Sequence, residues 1–564
     1  MVNFFWALTW GAVVTATEPE NPLRSLPAAA VSVEGWLRER LERAAARLRQ
    51  LRNPERLFAD LQPEAAEKWH WGADYCGRWL EATCRLAECG LPDFDLEPIL
   101  AELLRYQEPD GHFGRQRDHM TYWGDHRGLI ALATLAAHGN QDALAAARKL
   151  ADFYAARLAT DDWAAMGALN GTPGTPGCPL EGLALLYRLT QEPRYLALAE
   201  RIAARTMPTL AHPRGHSHTI LTSCRGLADL AELTGKRKYL EVCEYVWELT
   251  AREHAYPSGS IPEHFPDTSG DETCSTADWL RLNFQLWRLT RNVRYLDAAE
   301  RTIFNGLPFE QLPNGGFVGH RDLTGRVGEE WDFCCTHHGS LALVHVVENL
   351  YSVGPKEGEN LLYVNFFLPS RAEMTFPDGT RVALVQEGDY PRGEMVALTM
   401  EAAAPVAFQF RVRVPPSARG VGLGEVKLNG APLSPAADEG AFVLLRPPQG
   451  RWQPGDRLTW RCPVPLRVER RPPWETAEEQ VAFWHGPLLL ACGGVEKMPG
   501  EPPLLTAQVA FHPAEHLRRE PTAENEFGLA YRLTGADGRR ATLIPLASGG
   551  TGEVSVWMRV EKEE

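Results

Sequence analysis

The chain has 564 residues, too many for one apolar core, so two or three domains are expected. Apolar residues at 44% and charged residues at 23% are globular composition, and a net charge of −15 argues against a nucleic-acid binder. The 11 cysteines are odd in number and irregularly spaced, which excludes a small disulfide-framed scaffold.

Phe4 to Val14 is an apolar run, and Val14-Thr15-Ala16 after it reads as an export cleavage site. No Lys or Arg precedes the run, so a buried segment within residues 1–25 is the competing reading. No later stretch reaches the ~18 apolar residues that span a membrane. From Val31 to Leu362 the apolar spacing is helical. Trp36–Leu51 is Arg-rich, with Leu37, Leu41, Ala44, Ala45 and Leu48 on one face.

One phrase then recurs. Leu189-Thr190 is followed by Arg194-Tyr195-Leu196, Leu233-Thr234 by Lys238-Tyr239-Leu240, and Leu289-Thr290 by Arg294-Tyr295-Leu296. A weaker copy spans Leu129 to Ala156. Each copy reads helix, polar turn, helix, a unit that cannot bury its apolar face without neighbours. Six hairpins closed into a double-layered α/α barrel over residues 26–362 fit better than an open solenoid. Long Gly-, Pro- and His-rich loops at Gly167–Pro179, Pro208–His218 and Tyr256–Cys274 would gather on one face and build a site.

After Asn365 the period changes to two. Val406 to Val414, Leu458 to Val468 and Val554 to Val560 alternate as strands. Turn signals such as Asn429-Gly430 and Pro454-Gly455 fall between them, and Pro463 and Pro465 mark an edge or bulge. The chain is thus expected to be multidomain α plus β: an (α/α)6 barrel, an antiparallel β-sandwich over 363–490 and a C-terminal β region over 491–564. Its 17 tryptophans serve either core packing or the aromatic faces that sugar clefts use.

Two segments carry chemistry: Gly270-Asp271-Glu272-Thr273-Cys274 and Trp331-Asp332-Phe333-Cys334-Cys335-Thr336-His337-His338-Gly339. Glu272, Cys274, Cys334 and Cys335 offer three soft thiols and a carboxylate, a donor set that suits four-coordinate Zn2+. Glu272 and Cys274, two apart in an extended loop, point to one side. Three readings stay open on residues alone: a catalytic zinc-thiolate, a structural zinc, or cysteines that are merely packed or disulfide-linked.

These motifs resemble glycoside hydrolase family 127, the β-L-arabinofuranosidase group. The resemblance rests on Glu-x-Cys with a downstream Cys-Cys. It extends to Trp79-Leu80-Glu81-Ala82, Gly226-Leu227-Ala228-Asp229-Leu230, Leu362-Tyr363-Val364-Asn365 and His485-Gly486-Pro487-Leu488. It implies an α/α barrel with β-sandwiches and a retaining glycosidase with a cysteine nucleophile. By position Cys334 is that nucleophile, with Cys335, Cys274 and Glu272 holding zinc beside it. Glu263, in Glu263-His264-Phe265, is the implied acid/base. His216 matches a substrate contact, and His126 and Asp74 lie near two others. His337 and His338 are further candidates for substrate binding.

The chain also departs from the family. Thr336-His337-His338-Gly339 stands where many relatives have Pro-Pro-Asn, Cys178 where a family histidine is expected, and the loop from Glu263 to Glu272 is short. The expected partner is a carbohydrate, with neither nucleic acid nor membrane; an oligomer is compatible with the sequence but not specified by it. The competing functional readings are a metal-free α/α-barrel hydrolase or lyase, and a non-catalytic glycan-binding protein whose zinc braces loops.

Overall fold

The computed structural model describes residues 22–62, 71–92, 94–114, 119–159, 177–266, 270–321, 328–356, 359–438, 440–471, 480–493, 508–509, 515, 517–520, 525–534, 540–549 and 554–560. The expected cleavage site at Val14–Ala16 lies outside them.

Helices come first in the chain. They are α1 (Gly35–Gln50), the single turn α2 (Pro54–Leu57), α3 (Asp74–Glu88), α4 (Glu97–Arg105), α5 (His119–Ala137) and α6 (Gln141–Ala159). There follow α7 (Leu180–Thr190), α8 (Pro193–Thr206), α9 (Ser217–Thr234) and α10 (Arg237–Glu253). The set ends with α11 (Thr273–Thr290), α12 (Arg294–Arg301), the single turn α13 (Leu307–Glu310) and α14 (Cys335–Glu348).

Packing sorts them into two rings. In the inner ring α3 packs on α5, α5 on α7, α7 on α9, α9 on α11, α11 on α14, and α14 back on α3. Outside it α4, α6, α8, α10 and α12 each cover the inner helix that precedes them, and α1 lies across α14 and α3. The difference is legible in burial. From Ser217 to Ala231 every residue of α9 is buried, whereas its outer neighbour α10 buries only the stripe Tyr239, Leu240, Cys243, Val246, Trp247 and Thr250.

The recurring Leu-Thr phrase is the turn between the rings. Thr190, Thr234 and Thr290 each donate a hydroxyl to the carbonyl four residues back, at 2.9, 2.6 and 2.7 Å. Each hydroxyl oxygen then accepts the amide two residues on, at 3.2 Å. The residue between, Gln191, Gly235 or Arg291, takes the left-handed conformation that ends a helix. The outer helix starts two residues later in the first two copies and three residues later in the third. Since every outer helix runs back, all six inner helices begin at the same end of the barrel.

Among the described residues, the β part forms three sheets. A six-stranded sheet contains Tyr351–Lys356, Glu359–Val364 and Gln409–Arg413, and a seven-stranded sheet contains Ser370–Thr375, Arg381–Gly388, Met395–Glu401 and Arg457–Arg461. The N-terminal chain contributes Arg24–Ser25 to the first and Val31–Val33 to the second. A nine-stranded sheet is built around the hairpin of Gln480–His485 and Leu488–Gly493. Among the described residues, pairing is antiparallel except where Glu359–Val364 meets Gln409–Arg413 and Gln508–Val509 meets Met558–Val560. At Asn429 and Gly430, φ of 51° and 85° makes the two-residue hairpin turn that Asn-Gly signals.

The expected domain limits shift. The barrel ends with α14 rather than at 362, and a cut at 25 would sever Arg24–Ser25 from its partner strand. The run Leu458 to Val468 is two strands. Arg457–Arg461 lies in the seven-stranded sheet and Leu466–Arg470 pairs with Gln480–His485 in the nine-stranded one. Pro463 and Pro465 have no N–H to give a ladder, so the chain leaves one sheet there and enters the next.

Buried contacts join the barrel to the sheets. Trp287 of α11 stacks on Phe442 at 5.5 Å and donates to Ser352 Oγ at 3.2 Å. Arg413, 1% exposed at its side chain, pairs with Asp297 and Glu300 of α12, each at 2.8 Å.

Close ring packing yields a test. A Cβ on Gly226 of α9 would lie 2.3 Å from Leu180 Cβ and 3.0 Å from the Glu181 amide of α7. Neither atom can rotate away, so Gly226→Ala is expected to cost about 1–3 kcal/mol, read as a lowered denaturant midpoint.

Candidate active site

The N-terminal ends of the inner helices surround a cavity of about 440 Å3. Asp74 and Arg78 reach it from α3, Trp123 from α5, and His216 and His218 from the start of α9. Glu263 and Glu272 come from the loop before α11, and Glu330 to Cys334 from the loop before α14.

Glu272 precedes α11 and Cys274 lies in its first turn; Cys334 precedes α14 and Cys335 opens it. Two neighbouring helix N-termini thus aim their positive ends at three sulfurs and a carboxylate. One donor atom from each of the four residues lies within 4.8 Å of the others. Cys274 and Cys335 sulfurs are 3.6 Å apart, Cys334 and Cys335 sulfurs 3.6 Å, and Cys335 Sγ is 3.9 Å from Glu272 Oε1. A tetrahedral ion with metal–sulfur bonds of about 2.3 Å separates its sulfurs by about 3.8 Å. Cys274 and Cys335 are fully buried, while Cys334 is partly exposed and lines the cavity. All 11 cysteines are free, so no disulfide competes.

Charge is distributed unevenly. Hydrogen bonds from the Cys274 and Cys335 thiols hold the Cys334 thiol well below its usual range, helped by the Arg78 guanidinium and opposed by burial. Burial and the Cys334 charge push the Glu272 carboxyl well above its usual value. Glu263 accepts from His320 Nε2 at 2.7 Å, and His264 Nδ1 lies 3.4 Å from the same oxygen. Burial raises the Glu263 pKa, but the His320 hydrogen bond and the charges of His320, His216 and His264 outweigh it, leaving the carboxyl below its usual range.

Behind the sulfurs lies a buried ionic layer. His218 Nδ1 donates to Asp278 at 2.5 Å while its Nε2 accepts from Arg127 at 3.1 Å. Asp278 also pairs with Arg225, which pairs with Glu181. Arg78 donates to Asp74 at 2.8 Å and to His338 Nε2 at 3.0 Å. His218, Cys274 and His338 also cluster closely enough to hold a metal. There, however, one guanidinium takes the lone pair of each imidazole, which favours the Glu272–Cys335 group as the ligand set.

The expected residues therefore separate. Asp74, His216, Glu263, Glu272 and Cys334 line the cavity. His126 does not; it is buried beneath Trp123, with ring centroids 4.7 Å apart, and its Nδ1 bonds the Trp123 carbonyl. His337 and His338 lie inside α14 with 0% and 1% exposure, away from the wall, His337 edge-on to Tyr75 at 5.3 Å. Helical geometry explains this, since residues two and three past Cys335 turn inward toward α3. Cys178 is buried against Trp123. His320, Arg78 and Trp331 were not expected. Arg78 had a signal, being one helical turn from Asp74. His320 had none, because only strand pairing sets it opposite Glu272.

Paired helical rings with appended β-sheets and a cavity at the inner N-termini define a protein of the (α/α)6-barrel class. The chain belongs to glycoside hydrolase family 127: "Beta-L-arabinofuranosidase, GH127 catalytic domain" matches residues 40–339 and "Beta-L-arabinofuranosidase, GH127 middle domain" matches 361–464. It is 24% identical over 398 residues to a non-reducing end β-L-arabinofuranosidase of Bifidobacterium longum subsp. longum, covering 58% of this chain and 58% of that one. The chain thus spans under two thirds of that curated relative. In fold it is similar to a GH127 β-arabinofuranosidase at TM-score 0.77 and 19% identity, over 96% of this chain and 98% of the other. It also matches a GH127 β-L-arabinofuranosidase from Geobacillus stearothermophilus T6 at TM-score 0.74 and 18% identity, over 94% and 100%. No helix among the described residues is long and apolar enough to cross a membrane.

The ionic layer gives a stability prediction. Asp278→Ala would leave Arg225 and His218 without their shared acceptor, and the loss is expected to reach about 3–5 kcal/mol, measured by denaturant unfolding.

Proposed function

We propose that this protein is a retaining glycoside hydrolase that releases β-L-arabinofuranose, or a closely related sugar, from the non-reducing ends of plant-type glycans. The observation that carries the reading is the placement of Cys334. Of the three clustered sulfurs, it is the one at the cavity wall, and Glu263 shares that wall. Membership of family 127 and the activity for which the Bifidobacterium relative is named support the sugar.

Glu272, Cys274, Cys334 and Cys335 would hold a Zn2+ ion. The sulfur spacing fits a tetrahedral ion, and a cation at that point would relieve the crowding of buried negative charge that raises Glu272. Bound there, zinc would supply the positive charge that keeps thiols ionised at neutral pH.

The chain's own residues then account for two displacements. Cys334 Sγ attacks the anomeric carbon as the bond to the glycosidic oxygen breaks, and Glu263, acting from its protonated form, gives its proton to that oxygen. Water next attacks the same carbon, Glu263 takes its proton, and the carbon–sulfur bond breaks to return the thiolate. Two inversions retain configuration. Asp74, His216 and Arg78 line the cavity where sugar hydroxyls would lie. Burial lowers the His216 pKa to about 4, so its ring is neutral at pH 7 and able to accept or donate a hydrogen bond.

Assay on aryl β-L-arabinofuranosides, paired with metal analysis, tests the reading. Cys334→Ala is expected to lose turnover by at least about a thousandfold while keeping its helical spectrum. A variant retaining most of its activity, or wild type carrying no zinc, would contradict it.

A second prediction concerns pH. The His320 hydrogen bond favours the Glu263 carboxylate, so removing it raises that pKa, and a general acid stays protonated to higher pH. In His320→Phe the alkaline limb of the kcat/KM profile should therefore move upward. An unmoved limb would mean that His320 does not govern Glu263.

A further inference from the structure

Trp331 is the one tryptophan among the exposed large apolar side chains of the described residues, 38% accessible, and it lies on the cavity rim. An exposed indole facing a cleft is an unusual use of apolar surface unless something covers it. Its place is fixed on three sides. Its amide donates to the Phe317 carbonyl at 3.0 Å. Its ring lies over Gly319, where a Cβ would stand 2.1 Å from the indole. The His320 imidazole meets it edge-on, with centroids 4.6 Å apart.

That third contact sets the direction. His320 is bonded to Glu263, so the indole stands one imidazole away from the carboxyl assigned to the departing oxygen. Cys334 and Glu272 line the same cavity. Next to Trp331 along the chain, Glu330 is held by Arg47 at 2.8 Å and Asp332 by Arg56, and both residues line the same cavity.

Resting on the hydrolase reading above, we infer that Trp331 is the stacking platform for the leaving group, and that the group it takes is a neutral sugar ring. The apolar C–H face of that ring would lie on the indole, and its hydroxyls would donate to the Glu330 and Asp332 carboxylates of the same cavity. Arg47 and Arg56 are each engaged by one of these carboxylates, so this part of the wall offers acceptors for hydroxyls more than a cation for an anionic sugar. Trp331 therefore sets specificity on the leaving-group side, and Gly319 is glycine because the indole needs the space.

The test compares two substrates that differ only in the leaving group: an arabinofuranosyl disaccharide and methyl β-L-arabinofuranoside. Trp331→Ala should lower kcat/KM on the disaccharide about fivefold to tenfold and leave the methyl glycoside within about twofold. Trp331→Phe should restore most of the loss. Gly319→Ala keeps the indole but displaces it, and should reproduce the disaccharide defect, which separates platform loss from a general fold defect. Equal losses on both substrates, or none on either, would overturn the assignment. If wild type hydrolyses neither glycoside, the hydrolase reading itself falls, and the platform falls with it.

Discussion

The structure depends on closure of the inner ring with all six helices pointing one way. The first five inner helices each hand the chain to an outer helix running back, the sixth, α14, hands it to a strand, and the six N-termini meet at one end of the barrel. Unpaired N–H groups and aligned peptide dipoles make that end electropositive. It can therefore accept thiolates and carboxylates that a neutral protein interior would expel. The cysteines and glutamates of the site follow from this polarity.

Closure also supplies convergence. Cys274 and Cys335 are 61 residues apart in sequence, yet their sulfurs are 3.6 Å apart because α11 and α14 are neighbours in the ring. The Asp278–Arg225–Glu181 pairs then tie α11, α9 and α7 together directly beneath the site. Such pairs contribute less to net stability than to fixing where each helix sits, since a displaced partner would leave a buried charge uncompensated. The β-sheets act on the barrel from outside, through Trp287 and through Arg413 on α12, and leave the cavity end to the loops.

Within the site, two kinds of histidine are distinguished by packing. His216 and His320 stand beside Glu263 and hold its pKa down, while His218 and His338 have their lone pairs taken by Arg127 and Arg78. The first pair acts on the Glu263 carboxyl. The second pair supports the helix ends that present the sulfurs. Nothing in residue type separates them, because both pairs sit in polar, glycine-bearing stretches.

The amino-acid sequence alone determined the helical period, the Leu-Thr turns, the change to strands after Asn365, and the Glu-x-Cys and Cys-Cys pairs. These are local properties, set by side-chain spacing, a threonine hydroxyl that caps its own helix, or donor chemistry. Tertiary structure decided the rest. It placed His337 and His338 inside α14 and His126 behind Trp123, because a helix faces the cavity over one arc only. It divided the run Leu458 to Val468 between two sheets at Pro463 and Pro465. It set His320 against Glu263 and Trp331 on the rim, contacts between loops that meet only when the ring has closed.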